Sequence, residues 1–587
     1  MKFSYSESAG TIWGLRCRGR SRNFWWAPAL LVTVTSVHAQ PSAPSASAAV
    51  RAAADSFVAI ARARPQAGMW PDFGLAYRNA RAERIDRLAI MLGDPQLQRV
   101  DDAADVLLRD NLREAVEAER GTRICRRELW SSLGQINGWQ LSAVNWARQQ
   151  MAGPNEPDSV ALHALLAMPA MMASHEVLLR SGMQSGYVVP IAVVDAVVAQ
   201  LDRLAPADPI TSPLVGSLRD RAETPMSQRW ISVVRDSVYP AIARYRTFLR
   251  SSYRPVARPS GSLSTLPDGR ACYASWLREQ TSTHVDIDAG MAEARSGYDR
   301  LIATIAPLVE RLTGQRDVIA GIRQLRSGQS FAFSHRDSIL PAYRRVTQLA
   351  ASRASRVITG VAAESLAVLP YSELEEKADL PPRYISARGG KPAQFLVNLG
   401  RRERMSAASA AAHEAYPGHH LQAIAARQVS AGHPAMREMS FGSFGEGWGI
   451  YAEELGDEMG LYDTDLSRVG YLIHQSDVFM AFYLDAAFHS KGWTRQMLVD
   501  TMMVMAGRTQ SNAEAYADRH AATPGQLATY YVGWQSIRSA RAAAERILGS
   551  RFDARAFNFE VIRDGSIALA TLRNKLDTWV ARQRRSN

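Results

Sequence analysis

Apolar residues that return every three to four positions decide what this chain can fold into. Long Ala-, Leu- and Arg-rich stretches carry that period, for example residues 101–119, 291–312 and 411–429. Few segments alternate apolar and polar residues as a half-buried strand does. Of 587 residues, 47% are apolar and 21% charged, enough to bury a large core. No internal repeat is evident, and no long low-complexity linker follows residue 50. The expectation is a mostly α-helical fold, two helical lobes around a cleft, with a few short strands lining the site.

The third of these stretches is interrupted where its chemistry concentrates. Residues 413–420 read His-Glu-Ala-Tyr-Pro-Gly-His-His, which places three of the chain's 12 histidines beside a glutamate. A His-Glu pair followed by another His is the pattern of zinc hydrolases. Two histidines hold the metal, and the glutamate handles the proton of the water it activates. In the common form the histidines lie four residues apart, one turn along one helix face. Here that position is Pro417, which cannot bind metal, and the next histidines are His419 and His420. On a straight helix the position seven residues on returns to the first face only about 10.5 Å along the axis. One ion with Zn–N bonds of about 2.0–2.1 Å cannot reach both. The helix must therefore bulge or kink between the ligands. Pro417 removes a backbone donor and Gly418 relaxes the backbone, which supplies the break. The plain alternative is a helix that ends at Pro-Gly, with unconnected surface histidines.

A site of this type needs a third protein ligand. Glu446 follows His419 by 27 residues, room for one helix to end near Gln428, a loop through 430–434, and a second helix running back. Glu446 is flanked by Gly445 and Gly447 and followed by Trp448 and Tyr451, the setting of a packed, close-approach position. Glu453 falls near the same helical face, where it would accept a hydrogen bond from a ligand histidine and fix its tautomer. Glu454, Asp457 and Glu458 read as a solvated acidic face.

Together the octet and the Glu-Gly-Trp-Gly-Ile-Tyr-Ala-Glu stretch resemble a bacterial family known as domain of unknown function 885. That family is similar in turn to helical zinc peptidases such as thimet oligopeptidase, neurolysin and angiotensin-converting enzyme. The resemblance runs over most of the chain and is sharpest from about 381 to 534. It implies His413, His419 and Glu446 as ligands of one zinc ion (Zn2+), with His420 as the alternative to His419. It implies Glu414 as general base and Glu453 behind the ligands. Those peptidases also place a Tyr or His over the metal to stabilise an oxyanion. After Pro524-Gly525-Gln526 this chain offers Tyr530, with Tyr531 and His520 behind it. The competing reading is of tyrosines that merely pack helices. Upstream, Gly389-Gly390, Pro392 and an apolar run read as a short strand after a loop. The resemblance suggests that this strand, through Phe395, Leu396, Val397 and Asn398, pairs with a substrate backbone, with Gln526 as a further contact. Asp485 and His489 read as a structural hydrogen-bonded pair near the cleft; Ala481 stands where the family carries Arg. His433 reads as a loop residue. His163, His175, His284, His335 and His474 have no partner pattern and read as ordinary surface or packed histidines.

The N-terminus has a different composition. Lys2, Arg16, Arg18, Arg20 and Arg22 precede the apolar run 24–37, and Val37-His38-Ala39 offers a cleavage site. Residues 1–39 therefore read as a secretory signal peptide and 40–54 as a disordered mature N-terminus. The rest, 55–587, reads as one helical domain with an N-terminal lobe to about 380 and a metal-site lobe beyond it. The apolar run is short for a membrane span, so no stable anchor is expected after cleavage, and the mature protein is placed in the periplasm or outside the cell. Cys17 precedes the apolar run and so lacks a lipoprotein setting. Cys125 and Cys272 remain, either paired in an oxidising compartment or as two separate buried thiols. Residues 1–39 hold five basic side chains and one acid, so without them the net charge falls from +12 to +8. The excess is scattered arginine without a basic, aromatic-laced stripe, which argues against a nucleic-acid partner.

These features point to a secreted zinc metallopeptidase acting on peptides. The alternatives are a zinc hydrolase of another amide or ester, such as a peptidoglycan fragment, and a non-catalytic zinc-containing peptide-binding protein. The intact Glu414 speaks against the last, since a binding protein needs no general base. The sequence does not set the oligomeric state.

Overall fold

The computed structural model describes residues 45–585, except 64–65, 68–69, 72, 74, 137, 151–156, 217, 219–223, 363, 378–379, 388–389 and 429–431. The expected signal peptide and Cys17 lie outside the described residues. Helix α1 (Ala46–Arg62) starts at Ser45, whose hydroxyl accepts from the Ala48 amide at 3.2 Å. It buries Val50, Ala53, Ala54 and Ile60 at helical spacing. The expectation of disorder through residue 54 is corrected from Ser45 onward. Pro41 and Pro44 stand before the cap, where they cannot break the helix.

Helices α2 (Ala103–Gly121), α3 (Gly269–Thr281) and α4 (Ile287–Thr313) follow the same logic. Asp102 and Asp286 cap the starts of α2 and α4, and Gly314, with φ of 72°, ends α4. Cys125, just past α2, is joined by a disulfide to Cys272 of α3, with a Cα–Cα distance of 4.8 Å. Both are fully buried. Helix α5 (Ile339–Arg353) leads to a small sheet of β1 (Leu366–Pro370), β2 (Arg383–Ile385) and β3 (Ala393–Val397). The order is β1-β3-β2, with β3 parallel to β1 and antiparallel to β2. A lobe boundary at residue 380 would cut this sheet, so the expected division is not a boundary in the fold.

Six helices then build the centre of interest: α6 (Ala407–Glu414), α7 (His419–Gln428), α8 (Gly442–Glu458), α9 (Asp465–Lys491), α10 (Gln510–Ala522) and α11 (Ala528–Leu548). Helices α8 and α11 cross backbone to backbone. A Cβ on Gly533 would lie 1.8 Å from the Ser443 carbonyl oxygen, and one on Gly447 would lie 2.4 Å from the Gly533 carbonyl carbon. Helix α9 lies along α4, where Gly297 leaves room for the Phe479 ring and Gly290 for Phe482. Among the described residues one helix, Ser159–Ser185, is long and apolar enough to cross a membrane, and half of its most apolar window is buried inside the protein.

The crossing makes a direct prediction. Gly533→Ala forces backbones apart in a packed core and should cost at least about 1–3 kcal/mol in denaturant unfolding. Gly445→Ala, two residues before Gly447 on the opposite face of α8 and with no atom within 4 Å of its added Cβ, should cost nothing. Equal stability of the two variants would contradict this account of the crossing.

Candidate metal centre

The octet folds as two helices with a turn between them. Helix α6 ends at Glu414, and the amides of Ala415 and Tyr416 both return to the Ala411 carbonyl, at 3.0 and 3.1 Å. Helix α7 restarts at His419. Gly418 lies so close to the end of α6 that a Cβ there would be 1.8 Å from the His413 carbonyl oxygen. The turn is tied to α8 by the Trp448 indole, which donates to the carbonyls of Pro417 at 3.1 Å and Gly418 at 3.3 Å. This folding-back sets the His413 and His419 rings 4.8 Å apart and nearly perpendicular.

Glu446, on the first turns of α8, completes a cluster. Its Oε2 lies 3.7 Å from Nε2 of His413 and 3.7 Å from Nε2 of His419. One ligand atom from each of the three residues lies within 4.8 Å of the other two. Ligands around a tetrahedral ion with bonds of about 2.0–2.2 Å stand roughly 3.3–3.6 Å apart, so a small closure would seat zinc. The donor set, two imidazoles and a carboxylate, suits that ion. Gly449 makes room for the His413 ring: a Cβ there would lie 2.4 Å from Cε1 of His413.

Hydrogen bonds aim both imidazoles. His413 Nδ1 lies 2.9 Å from Oε1 of the fully buried Glu453. His419 Nδ1 lies 3.2 Å from the Gln422 side-chain oxygen. Each Nδ1 faces an acceptor, so in the neutral imidazole it carries the proton and the Nε2 lone pair points into the cluster. Burial disfavours charge on both histidines, but the neighbouring carboxylates of Glu446 and, for His413, Glu453 raise both pKa values above the ordinary one. Burial likewise pushes Glu446 up, and the two histidines override it and hold it well below the usual carboxylate range.

Glu414 stands beside this cluster, and its Oε2 accepts from the Tyr384 amide of β2 at 2.8 Å. Burial raises its pKa, with the two histidines opposing and Glu446 adding to the rise. Tyr530 stacks near His413, with ring centroids 6.4 Å apart. Burial first, then the nearby Glu446, raises the pKa of its hydroxyl, so the group stays a hydrogen-bond donor at neutral pH.

Other expected site residues lie elsewhere. The fully buried His420 turns away from the cluster: its Nε2 lies 3.2 Å from the Glu364 carbonyl and its Nδ1 3.4 Å from the Tyr384 hydroxyl. That excludes it as the alternative ligand, because α7 starts at His419 and its next residue points to another face. Tyr531 packs against Phe479 and Phe482, on a different face of α11 from Tyr530. His520 is buried against Asp485, at 3.0 Å, rather than poised over the cluster. Gln526 accepts from Arg519 at 2.7 Å. The substrate strand is also corrected. Phe395, Leu396 and Val397 lie in the central strand β3, both of whose edges are paired, and Asn398 holds the carbonyls of Glu376 and Leu380. The sheet edge beside Glu414 is β2, whose Tyr384 amide donates to Glu414.

Asp485 and His489 are 3.9 Å apart and bond to other groups. Asp485 accepts from the Tyr273 hydroxyl and the Gly525 amide, both at 2.8 Å, as well as binding His520, and so ties α3 and the Pro524-Gly525 turn to α9. His489 accepts from the Leu263 amide at 3.1 Å and donates to the His520 carbonyl at 2.9 Å. His474, read from sequence as ordinary, instead binds Glu453 with Nδ1 at 2.9 and 3.0 Å. No local pattern announces it, because its partner sits 21 residues earlier in another helix.

Gly449→Ala should keep the helical fold and displace the His413 ring. The expected result is zinc affinity lower by at least about tenfold, the scale of lost ligand orientation, in a chelator-competition titration. Wild-type affinity in that variant would contradict the close approach.

Known structures and families place this geometry in context. A candidate lipoprotein from Colwellia psychrerythraea superposes with a TM-score of 0.74 at 17% identity, over 92% of this chain and 99% of that one. A candidate lipoprotein of unknown function from Shewanella oneidensis does so with a TM-score of 0.68 at 17% identity, over 91% and 99%. At such identities the likeness shows the fold alone. Metallocarboxypeptidase 1 of Trypanosoma cruzi aligns over 92% and 99% at 10% identity, but its TM-score of 0.32 is too low to carry an argument. No curated protein matches the sequence. A family model for bacterial proteins of unknown function, DUF885, matches residues 57–576, nearly the whole chain. This chain therefore belongs to the DUF885 family of bacterial proteins.

Proposed function

We propose that this protein is a zinc-dependent hydrolase of peptide bonds that acts outside the cytoplasm. The observation that carries the reading is the convergence of His413, His419 and Glu446 on one point, with Glu414 immediately after one of them and bonded to the Tyr384 amide of an edge strand. Zinc held by these three residues would supply Lewis acidity, to polarise a carbonyl and acidify water. Glu414 takes a proton from the attacking water and delivers it to the leaving amine, a role suited to a carboxylate whose pKa burial has raised. The Tyr530 hydroxyl donates a hydrogen bond to the oxygen on which negative charge develops.

The outer edge of β2 is the strand we assign to the substrate backbone. The Tyr384 amide points outward from the sheet to Glu414, so a peptide laid along that edge passes the general base. The partly exposed Ile385 offers an apolar contact on the same strand. The location rests on three supports: the signal-like pattern of residues 1–39, the Cys125–Cys272 disulfide, and the description of two structural neighbours as candidate lipoproteins.

Glu414→Gln keeps the shape of the side chain and removes the base. Peptide cleavage should fall by at least about 10²–10⁴-fold while bound zinc stays stoichiometric. Full activity in that variant would remove Glu414 from the mechanism, and a parallel loss of zinc would give it a different role.

A further inference from the structure

We propose that His474 is a positioning residue for the zinc site, acting through Glu453 on the ligand His413. The inference rests on the zinc reading above and assigns a role to a residue outside the ligand set. Glu453 is fully buried on α8, and its two carboxylate oxygens have few partners. Oε1 is shared by His413 Nδ1 at 2.9 Å and His474 Nδ1 at 3.0 Å. Oε2 is 2.9 Å from His474 Nδ1, its one partner among the described residues. The His474 N–H therefore lies across both oxygens like a clamp. It fixes the rotation of the carboxylate so that Oε1 meets His413.

Removing that clamp has a definite consequence. Oε2 becomes a buried acceptor without a donor, which costs free energy unless the carboxylate turns toward another group. A carboxylate free to turn no longer holds the His413 Nδ1–H in line, and the imidazole loses the orientation that presents Nε2 to the metal. His474 is also suited to this role and little else in the core. Its side chain is 44% exposed, whereas that of Glu453 is 0% exposed, so the imidazole bridges a buried acceptor to the surface rather than filling a packed site. Its ring lies 6.3 Å from that of His413, and the two rings meet the same Glu453 oxygen through their Nδ1 atoms. It therefore acts through the carboxylate and not as a ligand.

The test compares zinc affinity, by chelator competition, and apo-protein melting in wild type, His474→Ala and His474→Asn. Asparagine keeps an N–H near the Nδ1 position, and alanine does not. The expected result is binding weakened by about tenfold in the alanine variant and close to wild type in the asparagine variant, with the apo-protein melting temperature lowered in alanine, close to wild type in asparagine, and both variants folded at the assay temperature. Alanine binding zinc as tightly as wild type, or asparagine binding as weakly as alanine, would overturn the assignment. If the alanine variant does not fold, the asparagine variant decides: wild-type affinity supports the clamp, and a tenfold loss overturns it. A wild-type protein that binds no zinc at all would defeat the zinc reading itself, and this inference with it.

Discussion

The site depends on one close approach, that of Gly418 to the end of helix α6. The His413 carbonyl sits where a side chain at 418 would have to be, so only glycine lets the chain turn back within four residues and restart as α7. That return converts a spacing of six, wrong for a single helix face, into two imidazoles 4.8 Å apart. Everything else in the centre works on this turn. Trp448 ties its carbonyls to α8, and α8 in turn presents Glu446.

Helix α8 shows how small residues make room for chemistry. Gly447 lets α8 lie directly on α11, which carries Tyr530, and Gly449 admits the His413 ring. The large side chains between and beyond them, Trp448 and Tyr451, are buried and fix the helix against its neighbours. Glu446 thus projects from a backbone held on two sides, and Glu453, two turns along the same face, sits behind His413. Rigid elements, rather than loops, hold each group of the candidate centre.

What the sequence disclosed follows the range of the interactions involved. The helical period, the break at Pro417-Gly418 and the face shared by Glu446 and Glu453 are local, and each is legible in a short window. The choice of His419 over His420 follows from where α7 begins, which depends on the turn. The pairing of β3 on both edges was not legible, because a short, mostly apolar stretch reads alike in an edge strand and a central one. Tyr530 and Tyr531 are adjacent, so only the packing of α11 tells which faces His413 and which faces Phe479 and Phe482. His474 and the hydrogen-bond partners of Asp485 are set by tertiary contacts between helices, and no pattern within one segment encodes them.

The central claim is that three side chains brought together by this turn hold one zinc ion. The most direct measurement is the metal content of the purified mature protein, beside His413→Ala, His419→Ala and His420→Ala. The account predicts near-stoichiometric zinc in wild type and in the His420 variant, and its loss in the other two. A wild-type protein that takes up no zinc on reconstitution, or a His419 variant that retains it, would contradict the account.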